Sequence, residues 1–333
     1  MFILESYAVA VVFCVITMLC WGSWANTQKL AQKDWRFELF YWDYALGVVL
    51  LSLLFGVTLG SMGGAGRPFW ADLGQASGDN MLSAFVGGAI FNAANILLVA
   101  AIAIAGMAVA FPVGIGLALV LGVIVNYIGS PVGNAPMLFV GVGFVVVAII
   151  LDAVAYRRLP SQSGGLSAKG LILSVACGIL MGFFYRFVAA AMSPDFSSLE
   201  AGKMGPYAAV FVFSLGVLAS NFLFNTFIMK KPFVGEPVSF SDYFRGSFPT
   251  HLIGVLGGLI WGVGMSFSII ASGQAGFAIS YGLGQGATMV AAFWGVFVWK
   301  EFKAAPSGTG TLIALMFLSF LAGLVLIILA RTT

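Results

Sequence analysis

Two small polar groups interrupt an otherwise apolar chain. Asn92 and Asn95 stand three residues apart, as do Gln285 and Thr288, with Tyr281 one turn before Gln285. Residues at that spacing share a helix face. A carboxamide offers two donors and an acceptor, which suits ureido, lactam or hydroxyl groups. Inside an apolar helix such a side chain needs a partner or a wet cavity. The competing role is an interhelical hydrogen bond, worth about 0.6–2 kcal/mol. Trp21, Trp24, Phe111 and Trp261 are the candidate platforms for stacking a flat ring or a sugar face. Taken singly, an aromatic in such a helix more often packs or anchors at the interface.

Charges are scarce among these groups. Arg186 is the only basic residue well inside an apolar segment, about six residues or 9 Å from its end. It can snorkel to the interface, pair with Glu5, or donate to carbonyl oxygens of a bound solute. Proton coupling calls for a carboxylate whose affinity for the proton is tuned by burial and by a neighbouring charge. Glu5, Asp43 and Asp152 are the candidates, with Glu5 and Asp43 taken as the coupling pair to test; each lies near a helix end, where a solvated interfacial charge is the competing role. His251, the single histidine, sits at a helix end as well.

No catalytic set is present. The chain lacks a Gly-x-x-x-x-Gly-Lys loop, an HExxH string, paired cysteines and a Ser/His/Asp arrangement. Its GxG strings lie inside apolar segments and serve packing. Cys14, Cys20 and Cys177 fall in apolar segments with no metal or disulfide spacing. No enzyme activity, cofactor, metal or nucleic-acid partner is therefore expected, and ATP-driven transport by this chain alone is excluded.

The elements that must position the amides are membrane helices. Of the 333 residues, 61% are hydrophobic and 8% charged, against roughly 25% charged in soluble domains. Ten apolar runs are each long enough to cross a hydrocarbon core: 7–28, 39–60, 82–103, 107–128, 137–156, 170–192, 207–229, 249–270, 276–298 and 311–330. The first does not read as a cleaved signal, because Glu5 stands where a basic region belongs. Eleven Lys/Arg follow odd-numbered spans, whereas only Arg67, Lys203 and Arg331 lie on the other side. The positive-inside rule then places both termini outside the cytoplasm, in a multi-pass protein of the plasma (inner) membrane.

Residues 87–128 also recur as 257–298 without a gap, with ten of 42 pairs identical, among them Gly87, Gly88, Gly106, Gly114 and Gly116. The basic, Gly/Ser-rich stretch 157–165 leaves five spans on each side. The expected fold is thus an all-α integral membrane protein of ten transmembrane helices in two five-helix repeats, 1–157 and 168–333. An odd number of spans per half makes the second repeat inverted, and such repeats mark secondary transporters with the site between the halves. Very short connections at Gly106 and at Ser272-Gly273-Gln274 make hairpins of spans three and four and of spans eight and nine. Glycines four apart, as in Gly254-Gly258-Gly262 and Gly282-Gly286, allow close helix approach.

Several strings carry a resemblance. Leu4-Glu5-Ser6 before Cys20-Trp21-Gly22-Ser23-Trp24, Trp42-Asp43-Tyr44, and Trp294-Gly295-Val296-Phe297-Val298-Trp299-Lys300-Glu301 resemble stretches of the ureide permeases and the neighbouring glucose/ribose porters. Ten spans in two inverted halves resemble the drug/metabolite transporter superfamily. The chain departs from the plant ureide permeases in its short 157–169 loop, which lacks their nucleotide-binding-like motif. The resemblance implies import of a small, largely uncharged polar metabolite of ureide, nucleobase or nucleoside type, coupled to H+. A monosaccharide importer and a drug or amino-acid exporter are the alternatives from the same superfamily. The state as monomer or homodimer is left open.

Overall fold

The computed structural model describes residues 1–31, 35–159 and 167–332; the side chains of Met107, Ala108 and Phe111 fall outside that description, as does most of the expected boundary between the repeats. The described residues are helical, with one isolated bridge, Met192 to Met204, in place of a sheet. In chain order the helices are α1 (Tyr7–Ser23), α2 (Asn26–Leu30), α3 (Phe37–Val57), α4 (Phe69–Gln75), α5 (Gly78–Ala105), α6 (Met107–Ala110), α7 (Gly116–Gly129) and α8 (Ala135–Arg157). They continue as α9 (Ala168–Ala190), α10 (Pro206–Lys230), α11 (Phe240–Phe244), α12 (Phe248–Ala275), α13 (Phe277–Gly284), α14 (Ala287–Phe293) and α15 (Thr309–Leu329). Two π-helical turns, Phe111–Ile115 and Trp294–Val298, lie before α7 and after α14.

Eight helices among the described residues are long and apolar enough to cross a membrane. The remaining two expected spans take other forms. Residues 7–28 hold a 17-residue apolar helix that ends at Ser23. Residues 276–298 hold α13, α14 and a π turn instead of one rod. The break has a local cause. Gly282, Gly284 and Gly286 weaken helix propagation, and around Gln285 the backbone closes i→i−3 bonds, Gly286 N–H to Leu283 O at 2.9 Å and Thr288 N–H to Gln285 O at 3.2 Å. Bulky apolar side chains such as Leu50, Ile172, Leu223 and Leu318 point outward, as a lipid-facing surface requires.

The two expected turns form by the same device. Gly106 at φ 76° and Gly276 at φ 81° end α5 and α12, conformations that a residue with a Cβ rarely adopts. Each amide still caps its helix, Gly106 N–H to Ile102 O at 2.9 Å and Gly276 N–H to Ser272 O at 2.8 Å. Long helices then meet backbone to backbone. A Cβ on Gly88 would strike the Phe213 carbonyl oxygen, and one on Gly216 the Phe85 carbonyl oxygen, so α5 lies against α10. In the same way Gly258 faces Tyr44 O and Gly47 faces Val255 O, which sets α12 against α3. The pair α8 and α15 closes through Gly141 and Gly323.

Candidate functional site

Between α1, α2, α5, α9, α12 and α14 lies a cavity of about 330 Å³. Six of the residues singled out from sequence line it: Trp21, Trp24, Asn95, Trp261, Gln285 and Thr288. The rings are layered. Trp21 stacks on Trp261 with centroids 5.8 Å apart at 15°, and Phe91 lies 4.4 Å from Trp261 on its other neighbour helix. The amides are only partly used by the protein. Asn95 donates Nδ2 to the Tyr41 hydroxyl at 3.1 Å, and no described group donates to its Oδ1. The Gln285 amide has no described partner at all, because the broken helix swings it into the cavity. Thr288 donates its hydroxyl to Gln285 O at 2.9 Å and keeps a lone pair free.

Among the described residues, no charged side chain lines the cavity. Its floor, at Asn95, Trp261 and Gln285, is buried, whereas Gln28, Phe37 and Ile102 at the opposite end are partly exposed and Ala25 is exposed. The mouth is therefore at the end of the bundle where α1 and α5 finish and α3 begins. The other end is sealed by hydroxyls that bond one another: Tyr185 to Ser268 at 3.1 Å, and Ser268 to Ser280 at 3.2 Å.

The other candidates sit elsewhere. Asn92 is fully buried against α10, donating Nδ2 to Ser220 Oγ at 2.8 Å and to Val217 O at 3.3 Å. Tyr281 donates its hydroxyl to the carbonyl oxygens of Ala118 and Met181, each at 3.1 Å, and so pins α13 to α7 and α9. Arg186 lies with its guanidinium over Gly129 and forms no ion pair with the exposed Glu5 among the described residues. The Phe111 side chain lies outside the described residues.

Asp43 departs from a solvated interfacial charge. It is 2% exposed, with both oxygens 3.0 Å from His251 Nδ1 and one accepting from Tyr243 at 2.6 Å. Burial first, and then the Asp43 carboxylate, push the Tyr243 hydroxyl above its ordinary value, so Tyr243 is the donor in that bond. Close packing forces the arrangement, since a Cβ on Gly254 would fall on the Asp43 side chain.

Sequence reasoning passed over Phe91, Phe184, Met181 and Gln28, all lining. Phe91 had a signal, because it is the partner of Trp261 in the 170-residue repeat. Gln28 had none: it follows a helix end, where polar residues are ordinary.

The ureide permease family model matches residues 40–163 and 157–330. Ureide permease 1 of Arabidopsis thaliana is 22% identical over 96% of this chain and 96% of its own. Ureide permease 4 of the same plant is 22% identical over 98% of each. A solved crystal structure, 17% identical, superposes on 98% of this chain and 99% of its own with a TM-score of 0.63, which supports the fold alone. A match over nearly the whole of a helical bundle that holds an amide-bearing cavity leads to one conclusion: this chain is a multi-pass membrane transporter that belongs to the ureide permease family.

Proposed function

We propose that this chain imports a small, uncharged polar heterocycle of ureide or nucleobase type, by secondary active transport coupled to protons. The observation that carries the reading is the cavity. Free amide ends of Asn95 and Gln285 stand beside the stacked rings of Trp21 and Trp261 and the tilted ring of Phe91, with no charge among the described lining residues. A flat lactam or ureide offers N–H to Asn95 Oδ1, C=O to the Gln285 amide, and a face to the indoles. An anion would be desolvated there without a counter-charge.

Ten spans in two inverted halves, 1–157 and 168–333, complete the proposal. Its support is an exchange of partners under the 170-residue offset: α5 packs on α10 and α9, and α12 on α3 and α1. Phe91 and Trp261, partners in the repeat, meet with ring centroids 4.4 Å apart and planes tilted by 33°. Both termini outside the cytoplasm would make the mouth beside Gln28 the inner one, with the hydroxyl seal of Tyr185, Ser268 and Ser280 closing the outer path. Alternation between these two closures moves the solute.

Uptake of a radiolabelled neutral ureide into cells producing the chain tests the reading. Unlabelled oxo-pyrimidines and neutral ureides should compete, whereas an anionic ureide should not. Competition by monosaccharides alone would replace the heterocycle with a sugar, and outward flux would reverse the direction.

A further inference from the structure

The string from Trp294 to Glu301 does not line the cavity, yet its backbone is unusual. It passes through a π turn, with Trp299 N–H bonded to Trp294 O at 2.8 Å, and then through Lys300 at φ 52°, the only non-glycine residue with positive φ among those described. Outliers of both kinds concentrate at functional positions. Here they bring Glu301 to a point between two helices. Glu301 Oε2 accepts from the Tyr156 hydroxyl of α8 at 2.9 Å, and Oε1 lies 3.4 Å from Lys29 Nζ of α2. Lys29 also caps the Trp299 ring at 4.5 Å, and Trp299 donates to Asn26 at 2.7 Å.

One turn before Tyr156, on the same face of α8, stands Asp152. It is 7% exposed, no described group gives it a hydrogen bond or an ion pair, and Glu301 is close enough to act on it electrostatically. A carboxylate within a membrane helix is costly to ionise and marks function. The elements packed on α8 offer no cation: α15, α6 and the π turn at 111–115 carry no ionisable group, and α7 has only Tyr127. Among the described residues, the charges on this side of α8 are Glu301 with its neighbours Lys300 and Lys303, Lys29 beyond it, and Arg157 and Arg158 at the end of α8.

We propose that Asp152, together with Glu301 and Tyr156, is the proton-binding site of this transporter. The proposal rests on the importer reading given above and names the residue that carries its coupling ion. With a proton on Asp152, the carboxylate of Glu301 is free of a like charge and bridges Tyr156 to Lys29. Release of that proton to water leaves two carboxylates facing each other, and repulsion drives Glu301 from Tyr156. Lys29 follows, and with it α2, which supplies Ala25 and Gln28 to the cavity mouth.

Two measurements on the purified, membrane-reconstituted chain test this. In infrared difference spectra across a pH titration without solute, the wild type should show the carbonyl band of a protonated carboxyl, and D152N should lose it. In vesicles with an imposed pH gradient, D152N should still exchange a neutral ureide but lose uphill accumulation. E301Q removes the like charge, so the pH midpoint of uptake should move to a more acid value. An infrared band that persists in D152N, uphill uptake by D152N, or an unmoved midpoint in E301Q would each overturn the proton site. A wild type that exchanges no neutral ureide would overturn the importer reading instead, and the infrared comparison would still judge Asp152.

Discussion

Gln285 and Asn92 are both amides in apolar helices, and their surroundings give them opposite roles. Gln285 has its amide free in the cavity, so Q285A should weaken solute affinity by about 2–12-fold, the value of one net hydrogen bond of about 0.5–1.5 kcal/mol. Its melting temperature in detergent should not move. Asn92 is spent on Ser220 and Val217, so N92A should lower the melting temperature and leave the affinity of the folded fraction intact. Thermal shift with and without solute separates the two. A third polar residue, Asp72, ties the α4 loop to the segment before α10 by accepting from Gly205 N–H at 2.7 Å and Arg67 Nε at 3.1 Å. Burial nonetheless raises its carboxyl above the usual range, with those partners pulling the other way. The folded state therefore holds the proton more tightly than the unfolded chain. That contribution to stability is complete below the ordinary carboxylate value and is lost as pH rises through the raised one. Melting temperature against pH should carry this slope in the wild type, and D72N, though less stable throughout, should lack it.

At the scale of elements, glycines decide where helices touch and where they end. Gly88 and Gly258 let the carbonyl oxygens of Phe213 and Tyr44 approach their Cα atoms. G258A should cost about 1–3 kcal/mol through overpacking between α12 and α3, whereas G143A, with nothing within 4 Å of its Cβ, should be neutral. Yield and melting temperature of the two variants, side by side, check this. The broken ninth segment follows from the same residue type. Gly282, Gly284 and Gly286 were visible in the sequence as a packing pattern, but only the structure shows that the helix stops after Gly284, where the backbone closes i→i−3 bonds around Gln285 and the Trp21 ring packs on Gly284. Discontinuous helices of this kind recur where transporters bind solutes.

For the whole molecule, one mouth is open and the opposite end is sealed by Tyr185, Ser268 and Ser280. With the native cysteines replaced, Q28C and A291C should react with an impermeant thiol reagent from the cytoplasmic side, and solute should slow A291C. Reaction from the outside alone would invert the assigned orientation. The membrane nature of the chain, its approximate helix positions and the resemblance between 87–128 and 257–298 were all legible in the sequence, since hydropathy, charge bias and repeats are properties of the linear string. So was the family, through short strings near Trp21, Asp43 and Trp294. Among the site candidates with described side chains, Asn92, Tyr281 and Arg186 do not line the cavity. For Asn92 the reason is rotational: spacing puts Asn92 and Asn95 on one helix face, but only the packing of α5 against α9 and α10 turns Asn92 to Ser220 and Asn95 to Tyr41 and the cavity. Tertiary structure likewise decided the fate of the acids. Helix-end position made Asp43, Asp152 and Glu5 look alike, and the approach of His251, Glu301 and solvent respectively made them a buried pair, an unpartnered carboxyl and an exposed charge. Contacts between residues hundreds of positions apart arise from the closing of the bundle, and no local pattern encodes them.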